Sequence, residues 1–372
     1  LYFARGAGKA ESEIRLASLD DSLHTVVTTS PMMGYYGSGH LLFVSHGDLV
    51  AQPFDPQSGL LSGSPTPLVQ DVQTVAGAAK AAFSISDEGS LIYLKGGSAE
   101  EASLTWRDRA GKEVEQLGEL DRYDLITLAP DGRSAAVGII ADQAGTWDFW
   151  ILDLVRNFRT RFTFDVADDF DPVWGRDSRG LYFTSDRGGQ DAVYYKAIGS
   201  PDPPRLVFET GASLRLWDVS ADGQTVFYSQ PGQGTSWDLW CADVTGATEP
   251  RELRATLETD GVGRLSPDGE WLAFASDESG QGQVYVAPWP AMTPFTQVSI
   301  TSGTWLSWTK GGRELIFQEA TGGLVASPMT VEAGRMMVGQ PEPLFTTSAP
   351  TYDSITWSTS ADGEKFMTIN LS

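Results

Sequence analysis

The sequence is poor in the residues that most soluble chemistry needs. Its 372 residues include one cysteine, Cys241, so no internal disulfide can form. In the strand-like run DLWCADV that thiol is expected to be a small buried hydrophobe. A lone thiol excludes a disulfide scaffold but does not fix the compartment. There are three histidines, His24, His40 and His46. A metal site beside His40 and His46 would need further ligands that the sequence does not place. No G-x-S-x-G elbow occurs, and no histidine follows downstream as an α/β-hydrolase requires. Kinase signatures are missing too: no H-R-D, no D-F-G and no glycine-rich loop of kinase spacing. Gly6-Ala7-Gly8-Lys9 lacks the distal glycine and the Ser/Thr of a P-loop and reads as a surface loop. Basic residues are scarce, 26 against 49 acidic, for a formal charge of −23. Such a surface repels phosphates and anionic lipid, which argues against nucleic acid and membrane surfaces as partners. The same acidity also serves simply to keep a large domain soluble. No apolar run approaches the roughly 18 residues of a membrane helix. The chain begins at Leu1 rather than Met, and is expected to be a mature, proteolysed or trimmed piece of a longer product.

What is present is glycine (40 residues), tryptophan (12), tyrosine (11) and phenylalanine (17), arranged as a repeat. The clearest copy is Leu265–Pro288, LSPDGEWLAFASDESGQGQVYVAP: strand, turn, strand, longer loop, strand. Asp268-Gly269 is expected to make a two-residue hairpin turn, glycine accepting a positive φ. Trp271, Ala273 and Ala275 alternate with Leu272 and Phe274, so both faces are apolar and both should be covered. The turn recurs at Ser86–Gly89, Ala129–Gly132, Arg176–Gly180, Ser220–Gly223, Lys310–Gly312 and Ser360–Gly363, with a degenerate copy at Gly37–His40. An apolar strand follows each, and the spacing is about 45 residues, the period of a four-stranded propeller blade.

These phrases resemble the TolB-like, or WD40-like, β-propeller repeat. LLFVSHGDLVAQPFDPQSGLLSGSPTPLVQDV (41–72), LTWRDRAGKEVEQLG (104–118) and FDPVWGRDSRGLYFTSDRGG (170–189) resemble one group more closely. That group is the extracytoplasmic C-terminal propeller of bacterial serine/threonine protein kinases. Arg176–Gly180 and Lys310–Gly312 depart from the turn consensus, and no kinase domain is in the chain. The resemblance implies an all-β fold, one propeller domain of about eight four-stranded blades, with seven as the runner-up. Its units are 31–75, 76–120, 121–167, 168–212, 213–259, 260–301 and 302–348. An eighth blade is shared by residues 1–30 and 349–372, closing the ring with strands from both termini. Leu1–Arg5, Ile14–Leu19 and Thr25–Thr28 are the N-terminal candidates, Ile355–Ser358 and Lys365–Asn370 the C-terminal ones. Five candidates for four places leave one strand surplus, which could support homo-oligomerisation by strand addition.

A binding rim follows from aligning the units. The connection entering the first strand and the loop between strands two and three emerge on the same face. This places Tyr123, Asp124, Asp169, Asp171, Arg215, Asp260, Trp305 and Tyr352 at the entering connections, with Asp186 and Arg187 in a strand-two-to-three loop. Such an aromatic and acidic rim could grip a basic or peptide ligand; alternatively these side chains pack and hydrogen-bond among themselves. Asp165, Asp168, Asp169 and Asp171 offer hard oxygens for Ca²⁺ but match no EF-hand spacing, and otherwise form a solvated connection between blades. The function expected is therefore a non-enzymatic sensor or interaction module outside the cytoplasm, periplasmic or secreted, as part of a larger membrane-anchored protein, with a protein or peptide ligand at the channel mouth and no cofactor. The alternatives are the substrate-gating propeller of a larger enzyme and a self-associating structural propeller. Resemblance to TolB implies peptide or protein binding; resemblance to the kinase propellers implies sensing.

Overall fold

A computed structural model describes residues 2–4, 12–17, 24–30, 32–45, 48–70, 72, 74–75, 80–86, 88–94, 101–140, 147–165, 167–232, 236–347 and 355–371. Among them every regular element is a β-strand, apart from one 3₁₀ turn at Lys310–Gly312. The chain divides into two compact units, one within Leu1–Glu100 and one within Glu101–Ser372, where the repeat spacing suggests a single domain.

In the second unit, six four-stranded antiparallel sheets follow one another. Blade one holds Tyr123–Leu128, Ser134–Ile140, Trp147–Asp153 and Phe158–Arg161; blade two holds Asp169–Trp174, Gly180–Ser185, Ala192–Ala197 and Arg205–Glu209. Blade three holds Arg215–Val219, Thr225–Pro231, Trp237–Asp243 and Arg251–Arg254; blade four holds Asp260–Leu265, Trp271–Ser276, Gln283–Pro288 and Thr296–Gln297. Blade five is Thr304–Thr309, Glu314–Gln318, Gly323–Glu332 and Glu342–Thr346, with Arg335–Val338 as an outer extension. Blade six joins Trp357–Thr359 and Lys365–Leu371 from the C-terminus to Ala102–Asp108 and Glu113–Asp121. The innermost strands neighbour one another in a closed cycle from blade one to blade six. The amide of Ile126 also donates to the carbonyl of Ile355 across the last gap.

The ring therefore closes with six blades, not eight, and not with the N-terminal strands. Lys365–Leu371 pairs with Ala102–Asp108 over its whole length, from Ala102 opposite Leu371 to Asp108 opposite Lys365. The sequence unit 76–120 is thus divided. Its first two strands, Phe83–Ile85 and Leu91–Tyr93, pair with each other in the first unit, and its last two complete blade six. Closing a ring with strands from both ends removes two sheet edges at once.

The first unit contains a blade-like sheet of Tyr35–Gly37, His40–Ser45, Asp48–Asp55 and Thr66–Val69. Leu42, Val44 and Leu49 are buried there, with Phe83, Ile85 and Leu91 packed against the same cluster. The expected N-terminal closing strands lie in this unit as a separate three-stranded sheet, Tyr2–Ala4, Ser12–Ala17 and His24–Ser30, pairing with one another.

Each turn marker has a physical basis. In Ser220–Gly223 the Gly223 amide donates to the Ser220 carbonyl (2.9 Å), and the Ser220 hydroxyl donates to Asp222 Oδ1 (2.6 Å). That same Oδ1 accepts the Gln224 amide (3.0 Å), and Gly223 takes φ +70°. The same hydroxyl–carboxylate pair recurs in Ser266–Gly269 and Ser360–Gly363. Because Ser220 pairs with Thr225, the connection holds four residues rather than the two expected. It is a four-residue loop built around the β-turn Ser220–Gly223 and closed by a left-handed glycine. Aromatic side chains fill the space between blades: Phe227, Phe274, Phe317 and Phe366 are all fully buried in one continuous core. Cys241 is buried as expected, and burial pushes its thiol pKa up.

Candidate functional site

A shared irregularity shapes one end of the ring. The innermost strands of blades one to five all carry a bulge near their start. The pairing shifts between Tyr123 and Leu125, Phe170 and Val173, Leu216 and Asp218, Gly261 and Arg264, and Thr304 and Leu306. A bulge inserts a residue that has no cross-strand partner and re-aims its side chain. Three of the bulged residues, Asp171, Val262 and Trp305, stand in the left-handed region at φ +54°, +51° and +34°. A β-branched or bulky residue held there stores about 1–3 kcal/mol of strain, which the surrounding sheet must over-determine.

The bulges of blades three, four and five open a cavity of about 650 Å³. Its walls include Trp217, Val262 and Trp305 from the bulges, Arg215 and Asp260 from the strand starts, and Asp277 beyond the second strand of blade four. Trp237, Gly282 and Gly303 also line it. The Trp217 and Trp305 rings meet edge to face, their centroids 5.8 Å apart. Trp217 Nε1 donates to Ser229 Oγ (2.7 Å), which donates to the Asp260 carbonyl (3.0 Å). That relay fixes the indole between blades three and four.

The expected rim residues separate into two groups. Arg215, Asp260 and Trp305 come together in the cavity. The rest are largely committed to holding blades together. Asp169 is fully buried and pairs with Arg187 (2.7 Å). Burial pushes the Asp169 carboxyl pKa up, with the charge of Arg187 and a hydrogen bond from Ser185 pulling against it. Asp171 joins blade two to blade three: Arg215 Nε lies 2.9 Å from each of its oxygens, and the Leu216 amide donates to Oδ2 (3.2 Å). Asp186 Oδ1 accepts the Asp168 amide (3.1 Å). The Tyr123 hydroxyl donates to the Glu119 carbonyl (3.1 Å), and burial raises its pKa. Asp124 occupies the blade-one bulge outside the cavity lining. Tyr352 lies outside the described residues, as do His46 and Gly6–Lys9.

The proposed Ca²⁺ ligands are distributed elsewhere. Asp169 and Asp171 face arginines, Asp168 Oδ1 accepts the Trp147 amide (3.2 Å), and Asp165 Oδ1 accepts the Ala167 amide (3.4 Å). Among the described residues no group of three or more His, Cys, Asp or Glu side chains could hold a metal ion. Sequence alignment missed Trp217, Val262, Trp237 and Asp277. Trp217 and Val262 sit one bulge further along the strand than a regular alternation places an inward residue, and only a search for bulges would have found them.

No protein-family model matches the chain. Solved structures do. A putative TolB from Agrobacterium tumefaciens superposes with TM-score 0.55 at 16% identity, covering 74% of this chain and 99% of that one. TolB from Acinetobacter baumannii gives TM-score 0.50 at 15% identity, with 84% and 78% covered. The Kuenenia stuttgartiensis hydrazine synthase gives 0.50 at 14% identity, with 78% and 95% covered. Likeness at this identity speaks to the fold, and the fold is that of the TolB-like β-propellers.

Proposed function

We propose that the chain is a non-enzymatic interaction module that binds a protein or peptide segment in the cavity of blades three to five. The observation that supports this most is the strained set of bulges lining that cavity with Trp217, Val262 and Trp305. Packing alone gives no reason to hold a valine and a tryptophan in left-handed backbone, whereas bulges that aim side chains into a cavity are a recurrent feature of binding sites. Buried aromatic anchors in a desolvated pocket are also where binding energy concentrates. The residue inventory offers no nucleophile–base pair of familiar arrangement, so no hydrolase or kinase activity is proposed for this chain. The role outside the cytoplasm, as the sensor of a larger kinase-type protein, rests on sequence resemblance alone. No helix among the described residues is long and apolar enough to cross a membrane.

The test is selection of a random heptapeptide display library on the wild-type protein, followed by affinity measurement on the enriched peptide. Trp305→Ala and the half-buried Trp237→Ala are expected each to weaken binding at least 30-fold, the loss of a hot-spot side chain of about 2 kcal/mol. Trp237→Ala guards against misfolding, since Trp305 is nearly fully buried. Equal affinity for wild type and both variants would place the ligand elsewhere. Turnover of a peptide, an ester or ATP, abolished by a point substitution in this chain, would overturn the non-enzymatic reading.

A further inference from the structure

The cavity walls carry an electrostatic asymmetry. Their charged side chains are Arg215, Asp260 and Asp277. Arg215 is already neutralised: its guanidinium grips Asp171 (2.8 and 2.9 Å) and lies over the Trp217 ring, 5.7 Å from its centroid. Asp277 accepts the Thr259 amide (2.5 Å) through Oδ1, and none of the ion pairs among the described residues includes it. Asp260 is fully buried. Its Oδ2 accepts the Thr256 amide (2.9 Å), while Oδ1, although 3.2 Å from Arg254 Nε, has no aligned hydrogen bond. Among the described residues Arg254 Nε, itself without another hydrogen bond, is the counter-ion of that oxygen, so Asp260 is committed within the wall and Asp277 is the carboxylate left without an ion pair.

We infer that the cavity receives a cationic side chain, arginine or lysine, from an extended peptide segment. This deepens the binding reading above and depends on it. Asp277 supplies the acceptor, and Trp217 and Trp305 supply the aromatic wall on which a guanidinium or ammonium group is stabilised. Arg215 over Trp217, and Arg254 over Phe274 and Phe295 (5.5 and 4.8 Å), show the same pairing already used within this ring. An anionic or purely aliphatic group would leave Asp277 desolvated without a counter-ion, which is costly. The formal charge of −23 draws cations toward the protein from a distance as well.

The experiment is fluorescence anisotropy with three fluorescein-labelled peptides, Gly-Ala-Arg-Ala-Gly, Gly-Ala-Glu-Ala-Gly and Gly-Ala-Leu-Ala-Gly, titrated to millimolar protein. The arginine peptide is expected to bind at least 10-fold more tightly than the other two. Asp277→Asn keeps an acceptor for the Thr259 amide while removing the charge. It is expected to weaken the arginine peptide about 10-fold and leave the leucine peptide and the melting temperature unchanged. If the glutamate or leucine peptide binds as well as arginine, with a dependence on Trp237, the cation inference fails and the cavity reading survives. An unchanged affinity in Asp277→Asn also overturns it. No binding by any of the three overturns it together with the peptide-sized pocket.

Discussion

Removing Lys365–Ser372 is expected to abolish the cooperative unfolding transition of the ring. Lys365–Leu371 is an interior strand of blade six, bonded to Ala102–Asp108 on one edge and to Trp357–Thr359 on the other. Its Phe366, Met367 and Ile369 side chains are buried against blades five and one. At roughly 1.5–3 kcal/mol each, their burial contributes roughly 5–9 kcal/mol, before the lost ladder of hydrogen bonds is counted. A typical domain has only about 5–15 kcal/mol in total. The truncated chain should therefore show no sigmoidal melt in near-ultraviolet circular dichroism and should bind a hydrophobic dye at ambient temperature. Deleting residues 1–30 instead should leave the ring's transition in place, since those strands pair among themselves. A truncation at Glu364 that keeps the wild-type melting temperature would show that blade six does not close the ring.

That contrast also marks where sequence reasoning succeeded and where it stopped. The turns were legible because their chemistry is local. A Ser hydroxyl, an Asp carboxylate two residues on and a left-handed Gly make a self-contained unit, and any sequence carrying them makes the turn. The strands after them were legible because both faces are apolar, as Trp271–Ser276 shows by being buried throughout. The closure was not legible, because it is a choice among equivalents. SISDEGSLIYL (84–94) and STSADGEKFMTI (358–369) are both first halves of a blade, and either satisfies the same repeat pattern beside the strands of 102–121. Contiguity in sequence favours the first; the ring uses the second. The candidate site was half legible. Arg215, Asp260 and Trp305 follow from aligning the strand starts, but the inserted residue of each bulge shifts the side-chain register by one, and nothing in the sequence of RLWDVS or DGVGRL marks where the extra residue falls.

The seam between blades five and six carries the second large effect. Arg109, in the turn between the two strands that the N-terminal side gives to blade six, reaches across to Glu314 at the start of the second strand of blade five. Its two terminal nitrogens lie 2.8 and 3.0 Å from the two carboxylate oxygens, and one of them also donates to the Gly363 carbonyl (2.9 Å). One guanidinium thus ties blade five, the last turn of the chain and the beginning of the ring together. Glu314 is buried and also accepts from Thr309 and Lys310 (2.9 Å each). Arg109→Met leaves that carboxylate with the Thr309 hydroxyl and with Lys310 as its one remaining cation, and is expected to cost roughly 2–3 kcal/mol, below the 3–5 kcal/mol of a fully buried pair because Arg109 is partly exposed. In chemical denaturation this should move the midpoint at constant slope. The pH dependence has a definite sign. Burial raises the Glu314 carboxyl, but hydrogen bonds from Arg109, Lys310 and Thr309, with the charge of Arg109, carry it net below its ordinary value of 4.5. A carboxyl held lower in the folded state than in the unfolded chain stabilises fully above the unfolded value, and that contribution is lost as the pH falls through the folded one. Buried Asp169, whose carboxyl is raised, runs the opposite way, so the melt of the wild type alone mixes the two. The discriminating quantity is the stability difference between wild type and Glu314→Gln. It should be largest at pH 6–7 and shrink steadily once the pH drops below about 4.5. A difference that stays constant from pH 7 to pH 3 would mean that the Glu314 charge does not hold the seam, and that the Arg109 contact is packing rather than an ion pair.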